Sequence, residues 1–152
     1  MKKIVLICFI LFLNSCGYSS IYKNQKTQDF QLNIIEMSGD NEFNNLLKNE
    51  LKLYSNIDSN KQYDISLNSK YNKIIVSKDS SGVATDYKIS VNTIININLN
   101  NKIHNLNFKE STNIKNNSNS FGQERYEKNI KKNFASLIRK KLSIKIFNLN
   151  DN

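Results

Sequence analysis

Proline and tryptophan are missing from this 152-residue chain, and only four glycines are spread along it. No proline therefore marks a turn, and no glycine-rich loop is present to cradle a phosphate. Histidine occurs once, at His104, and cysteine twice, at Cys8 and Cys16. A metal site built on histidine and cysteine lacks ligands. Serine–histidine catalysis would have to use His104, beside which no nucleophile motif stands; it reads as a solvated residue next to a hairpin. Two cysteines, one of them near the very start, give no disulfide framework. Glu110, Glu124 and Glu127 read as exposed carboxylates rather than as an acid–base pair. Together these shortages lead us to expect a protein that is not an enzyme and holds no metal or cofactor.

A long hydrophobic run is missing too. The one apolar stretch, Ile4 to Leu13, is half the roughly 20 residues a membrane-spanning helix needs. Lys2 and Lys3 precede it and Asn14-Ser15-Cys16-Gly17 follows, the arrangement of an export signal. Leu13-Asn14-Ser15-Cys16 resembles the bacterial lipobox, in which a cysteine thiol takes a diacylglycerol and the chain is cut just before it. The resemblance implies a signal peptide over residues 1–15, lipidation with a palmitate-type acyl anchor at Cys16, and loss of Cys8 with the signal. Gly17, rather than the aspartate that retains lipoproteins in the inner membrane, implies outer-membrane residence. An ordinary secretory signal with an incidental Cys16, or an uncleaved anchor, are the plainer alternatives. Gly17 to Asp29 is polar and aperiodic, so residues 16–29 read as a tether and residues 30–152 as one domain.

Such a mature chain has 137 residues, enough for one domain with a real core. The formal charge is +9, and without Lys2 and Lys3 it is +7. A basic protein suggests an anionic partner. Export removes nucleic acid from consideration and leaves anionic lipid or a phosphorylated glycolipid; scattered lysines on an Asn-rich surface are the alternative.

Periodicity gives the elements. Phe30 to Met37, with Ile34-Ile35, suggests a strand, and Ser38-Gly39-Asp40-Asn41 a turn in which Asp40 or Asn41 caps a helix. Phe43, Leu46, Leu47, Leu51 and Tyr54 follow helical spacing. Tyr63, Ile65 and Leu67 alternate, and the pattern resumes through Ile74-Ile75-Val76. After the turn Asp79-Ser80-Ser81-Gly82, the residues Tyr87, Ile89, Val91, Thr93, Ile95, Ile97 and Leu99 should face one way. Lys88, Ser90, Asn92, Asn96 and Asn98 should face the other, with Ile94 the misfit. One buried and one wet face is the mark of an antiparallel sheet covered on a single side. Asn100-Asn101 suits a tight hairpin, with Leu106, Phe108, Glu110, Thr112 and Ile114 on the returning strand. Ser120 to Gln123 has capping-box spacing, and Tyr126, Ile130, Phe134, Leu137, Ile138 and Leu142 predict a long amphipathic helix to about Phe147. The fold class expected is α+β: a four-stranded, mostly antiparallel sheet covered on one face by two helices, in the order β-α-β-β-β-α.

Several segments, in this order, resemble the LPS-assembly lipoprotein family LptE. They are Cys16-Gly17-Tyr18, then Ile34-Ile35-Glu36-Met37-Ser38-Gly39-Asp40 running into Leu46-Leu47 and Leu51. Ser77-Lys78-Asp79 with Thr85-Asp86-Tyr87-Lys88-Ile89 follows, and Ala135-Ser136-Leu137-Ile138-Arg139-Lys140-Lys141-Leu142 closes the set. The resemblance implies a plug inside the outer-membrane β-barrel LptD that helps the barrel assemble and insert lipopolysaccharide. It implies basic residues in the loop after the second strand and in the loop before the last helix. Here those loops, Asp79 to Ala84 and Asn116 to Gly122, carry neither lysine nor arginine. Lys73, Lys78 and Lys88 near the first loop and Arg125 near the second are the substitute contacts for lipopolysaccharide. Another small outer-membrane lipoprotein, a secretion pilotin or a periplasmic inhibitor, is the alternative.

Overall fold

The computed structural model describes residues 30–55, 57, 59–99 and 102–150. The expected signal, tether, Cys16 and the Asn100-Asn101 turn lie outside them. The order is β1 (Gln31–Gly39), helix α1 (Asn41–Ser55), β2 (Gln62–Lys78), β3 (Ala84–Leu99), β4 (Lys102–Lys115) and helix α2 (Ser120–Asn150). The four strands form one sheet in that same order. β2, β3 and β4 meander antiparallel, whereas β1 joins β2 in parallel, from Gln31 opposite Gln62 to Gly39 opposite Ser69. A parallel neighbour needs a crossover, and α1 supplies it.

The alternation of β3 settles which face is dry. Ile89, Val91, Thr93, Ile95 and Ile97 are buried together with Tyr63, Ile65 and Leu67 of β2 and Phe108 and Ile114 of β4. Tyr87 and Leu99 close the stripe half-buried, and Ile94, opposite Asn68 and Asn107, belongs to the wet face. The one fully buried hydroxyl in the β3 stripe, Thr93, meets Ser69 at 3.0 Å, so neither polar group is buried without a partner.

α1 begins where expected. Asp40 Oδ1 accepts from the Phe43 amide at 2.8 Å, and the buried Asn44 donates to the Ser38 carbonyl at 2.6 Å. Phe43, Leu47, Leu51 and Tyr54 then face the sheet.

α2 departs from expectation at two points. Its cap is Asn119, whose Oδ1 accepts from the Gly122 amide at 3.1 Å, while Gln123 accepts from the Asn117 amide. The spacing had suggested a box on Ser120; the preceding asparagine is the better-placed acceptor. Further along, the large buried side chains are Ile130, Phe134, Ile138, Leu142 and Ile146, a spacing of four, with the small Ala135 and Ser143 buried beside them. Against 3.6 residues per turn that stripe drifts round the helix by about 40° at each step. Leu137 and Tyr126, expected inside, therefore lie off it, and Leu137 is 42% exposed. Over 31 residues, about 46 Å, α2 turns successive sides inward, pairing first with β2 through Glu127 and later with β4 through Lys141.

Candidate functional site

α1 is half the length of α2, so one end of the sheet is roofed by two helices and the other by the start of α2 alone. The sequence-nominated lysines lie at this thinly covered end. Lys73, on β2, pairs in register with Ile89, while the next residue, Ile74, pairs with Lys88. Alternation then puts Lys73 on the dry face and Lys88 on the wet face. The two are not one site.

Lys73 is exposed over part of its length, yet its ammonium is engaged within the domain. Its ammonium lies 4.2 Å from the centre of the Tyr87 ring and is ion-paired with Glu127 of α2. Glu127 also accepts from Gln123 Nε2 at 2.9 Å. One turn on, Lys131 caps the Tyr71 ring at 4.3 Å and pairs with Glu42 of α1. Tyr71 stands among these groups. Burial, then the charges of Glu127, Glu42 and Asp40, push its hydroxyl up to about 12, so it stays neutral. This cluster fastens α2 to β2 and α1; it is a structural lock.

The lock makes stability sensitive to acid. Burial raises the Glu127 pKa, but hydrogen bonds from Lys73 and Gln123 and the charges of Lys73 and Lys131 outweigh it and hold the carboxyl below its ordinary value. A group with a depressed folded pKa adds stability above its unfolded pKa and loses it as pH falls through the folded value. Glu127→Gln should therefore melt at a lower temperature than wild type near neutral pH. The two proteins should converge once pH is well below about 4.3, the reference for a free glutamate. Melting curves between pH 3 and 7 would show it; a constant gap would mean the carboxylate charge is not the stabilising element.

The other nominees are exposed as well, and lie apart. Lys78 ends β2 beside the turn, in which Asp79 Oδ1 accepts from the Ser81 and Val83 amides, each at 2.9 Å. Arg125 lies 5.8 Å from the Phe121 ring on the first turns of α2. Lys88 borders a shallow depression of about 300 Å³ on the wet face, with Asn72, Ile74, Ser90, Asn92 and Lys109. Lys109 was not singled out from sequence; its register, opposite Asn92, brings it there. At the outer end of the hairpin Ile74, Ile75, Val76 and Val83 are each more than half exposed. Three consecutive aliphatics cannot all face one side of a strand, which was the available signal that this stretch leaves the core. Here Ser77, then Thr85, donate to Asp86 and, with the charge of Lys115, hold its carboxyl below the ordinary range.

The uncovered face thus offers amide, hydroxyl and ammonium groups along its length, and aliphatics flanked by Lys78 and Lys88 at its tip. Such a surface can bind a phosphorylated amphiphile or exchange hydrogen bonds with a polar wall. Among the described residues no three histidine, cysteine, aspartate or glutamate side chains gather as metal ligands, and no helix is long and apolar enough to cross a membrane.

No family model and no curated protein sequence matches the chain. Solved structures do. Rare lipoprotein B from Shewanella oneidensis superposes with a TM-score of 0.57 at 15% identity, over 78% of this chain and 99% of that one. A lipoprotein from Caulobacter crescentus gives 0.52 at 12% identity, over 82% and 93%. At such identities the likeness is one of fold.

Proposed function

We propose that this protein is an outer-membrane lipoprotein of LptE type, tethered through lipid on Cys16. In this reading it plugs the lumen of the LptD β-barrel and assists insertion of lipopolysaccharide into the outer leaflet. Its part is to fill and to bind, without catalysis or cofactor. The observation that carries the reading is the uncovered sheet face, polar along β3 and both aliphatic and basic at the hairpin tip. Barrel lumens are polar, so Asn92, Asn96 and Asn98 can exchange water for lumen hydrogen bonds without exposing a core when the domain is free. The tip combines Lys78 and Lys88 with Ile74 and Val83, chemistry suited to phosphate beside acyl chain. Lys73 drops out of that contact set because Glu127 holds it; Lys109 enters. The shared fold of two lipoprotein structures, each covered almost end to end, supports the reading.

Photoreactive side chains at Lys88, Asn92 and Asn98 test it. We expect adducts with a large outer-membrane β-barrel protein, and a complex that survives detergent and gel filtration, since plugging buries far more than the roughly 1,600 Å² of an ordinary interface. A protein that stays monomeric and whose deletion leaves barrel assembly intact would be a pilotin or an inhibitor instead.

A further inference from the structure

The two edges of the sheet are built differently. A sheet edge presents unpaired N–H and C=O groups, which proteins commonly blunt with short strands, bulges or proline. β1 has nine residues and its pairing slips between Ile34 and Glu36. β4 has fourteen residues and no proline, and it pairs with β3 from Lys102 to Lys115 without a slip. No strand among the described residues lies beyond it.

Helix α2 overhangs this free edge. Lys141 reaches down to an ion pair with Glu110 of β4, which turns that side of the helix toward the edge. Leu137 and Ile144, four residues before and three after Lys141, share its side. Ile144 is 61% exposed, and a groove of about 290 Å³ runs between it, Lys141 and Lys145 above and Asn107, Phe108 and Lys109 below. The surroundings are basic. β4 carries Lys102, Lys109 and Lys115, residues 128–150 contain no acidic residue, and the one carboxylate of β4, Glu110, is taken by Lys141.

We propose that β4 and the overhanging side of α2 form a docking site for an extended, acidic segment of a partner protein, added as a fifth strand. Alternating side chains of that segment would reach opposite faces of the sheet. One set would lie against Phe108, Leu137 and Ile144. The other would bring carboxylates to Lys109 and Lys115 on the wet face. Charge selects this occupant over a second copy of the chain, which would set the same lysines against themselves. The inference does not depend on the barrel reading, because the free edge of β4 and the groove under α2 are separate from the hairpin tip; Lys109 alone is shared with the wet-face contact set.

The test uses the full chain in detergent and two synthetic ten-residue peptides, one alternating valine with glutamate and one alternating valine with lysine. Amide hydrogen exchange should slow at least tenfold across residues 102–115 with the glutamate peptide and stay unchanged across residues 31–39. The lysine peptide should protect nothing. Ile144→Glu, at an exposed position, should weaken binding of the glutamate peptide at least tenfold with an unchanged melting temperature. Lys109→Glu, also exposed, should shift preference toward the lysine peptide. The proposal is overturned by absent protection, by equal protection from both peptides, or by peptide binding that neither substitution changes. It is equally overturned by light scattering that shows a dimer whose β4 is already protected without peptide.

Discussion

Gly39→Ala should destabilise the domain by more than about 4 kcal/mol, a size reached only when a substitution breaks something specific. Gly39 ends β1 and hands the chain to α1 with φ at +83°, a left-handed conformation that costs an L-residue roughly 1–2 kcal/mol. Space is the larger obstacle. A Cβ there would stand 2.1 Å from the Ser69 carbonyl oxygen, on the backbone of the paired strand. That oxygen also accepts from the Asp40 amide at 2.7 Å, so moving it away disturbs the residue that caps α1. Gly82 is the internal control. It has φ of +82° at the β2–β3 turn, but an added Cβ would meet nothing within 4 Å. Gly82→Ala should therefore cost only the backbone term. Urea unfolding of both variants would separate the contributions, and equal losses would mean that the close approach at Ser69 is not limiting.

The same corner shows how far the sequence could be read. Ser38-Gly39-Asp40-Asn41 announced a turn and a cap, because both are local chemistry. That β1 then lies parallel to β2 is a long-range choice, fixed by where the apolar side of α1 can be buried, and no residue within β1 encodes it. The wet and dry sides of β3 were legible because strict alternation leaves one register that buries Ile89, Val91, Ile95 and Ile97. α2 was legible as a helix but not in its contacts. Leu137 fits a straight apolar stripe, and only the drift of the buried stripe round the helix puts it outside.

The candidate site was less legible than the fold for a related reason. Lys73 and Lys88 are both basic and both near the same hairpin, so sequence distance suggested a common role. Their side chains are parted by the parity of the strand, and the partner that neutralises Lys73 comes from Glu127, 54 positions away. Lys109, which does share the wet face with Lys88, stands on another strand and needed the β3–β4 register to be found. The apolar tip carried a local mark, three aliphatics in a row. Its exposure follows from the roof of helices ending short of it, a property of lengths in three dimensions.

Cys16→Ala should abolish lipid anchorage while leaving the domain folded. The first half follows from acyl-chain energetics. Each buried CH₂ contributes about 0.8 kcal/mol, so one chain holds a protein only reversibly while several hold it firmly. On the proposed reading the Cys16 thiol bears them, and removing it leaves attraction of a basic surface to anionic lipid, which salt screens within about 8 Å at physiological ionic strength. The second half follows from packing that lies well after Cys16 in the chain. Phe30 is buried with its ring 5.2 Å from that of Tyr54 and 6.2 Å from that of Tyr63, tying the start of β1 to the end of α1 and to β2. Anchor and fold should therefore separate. Wild type should stay with the membrane through a high-salt wash and carry lipid mass on Cys16. The variant should keep residues 1–15 uncut or appear in the soluble fraction, with the wild-type melting temperature of the domain. An unmodified Cys16 in the intact mass of the wild-type protein would refute the anchor. A wild-type mass with lipid, but a variant cut free of residues 1–15 that still resists the salt wash, would show that docking to a membrane partner holds the protein as firmly as its acyl chains.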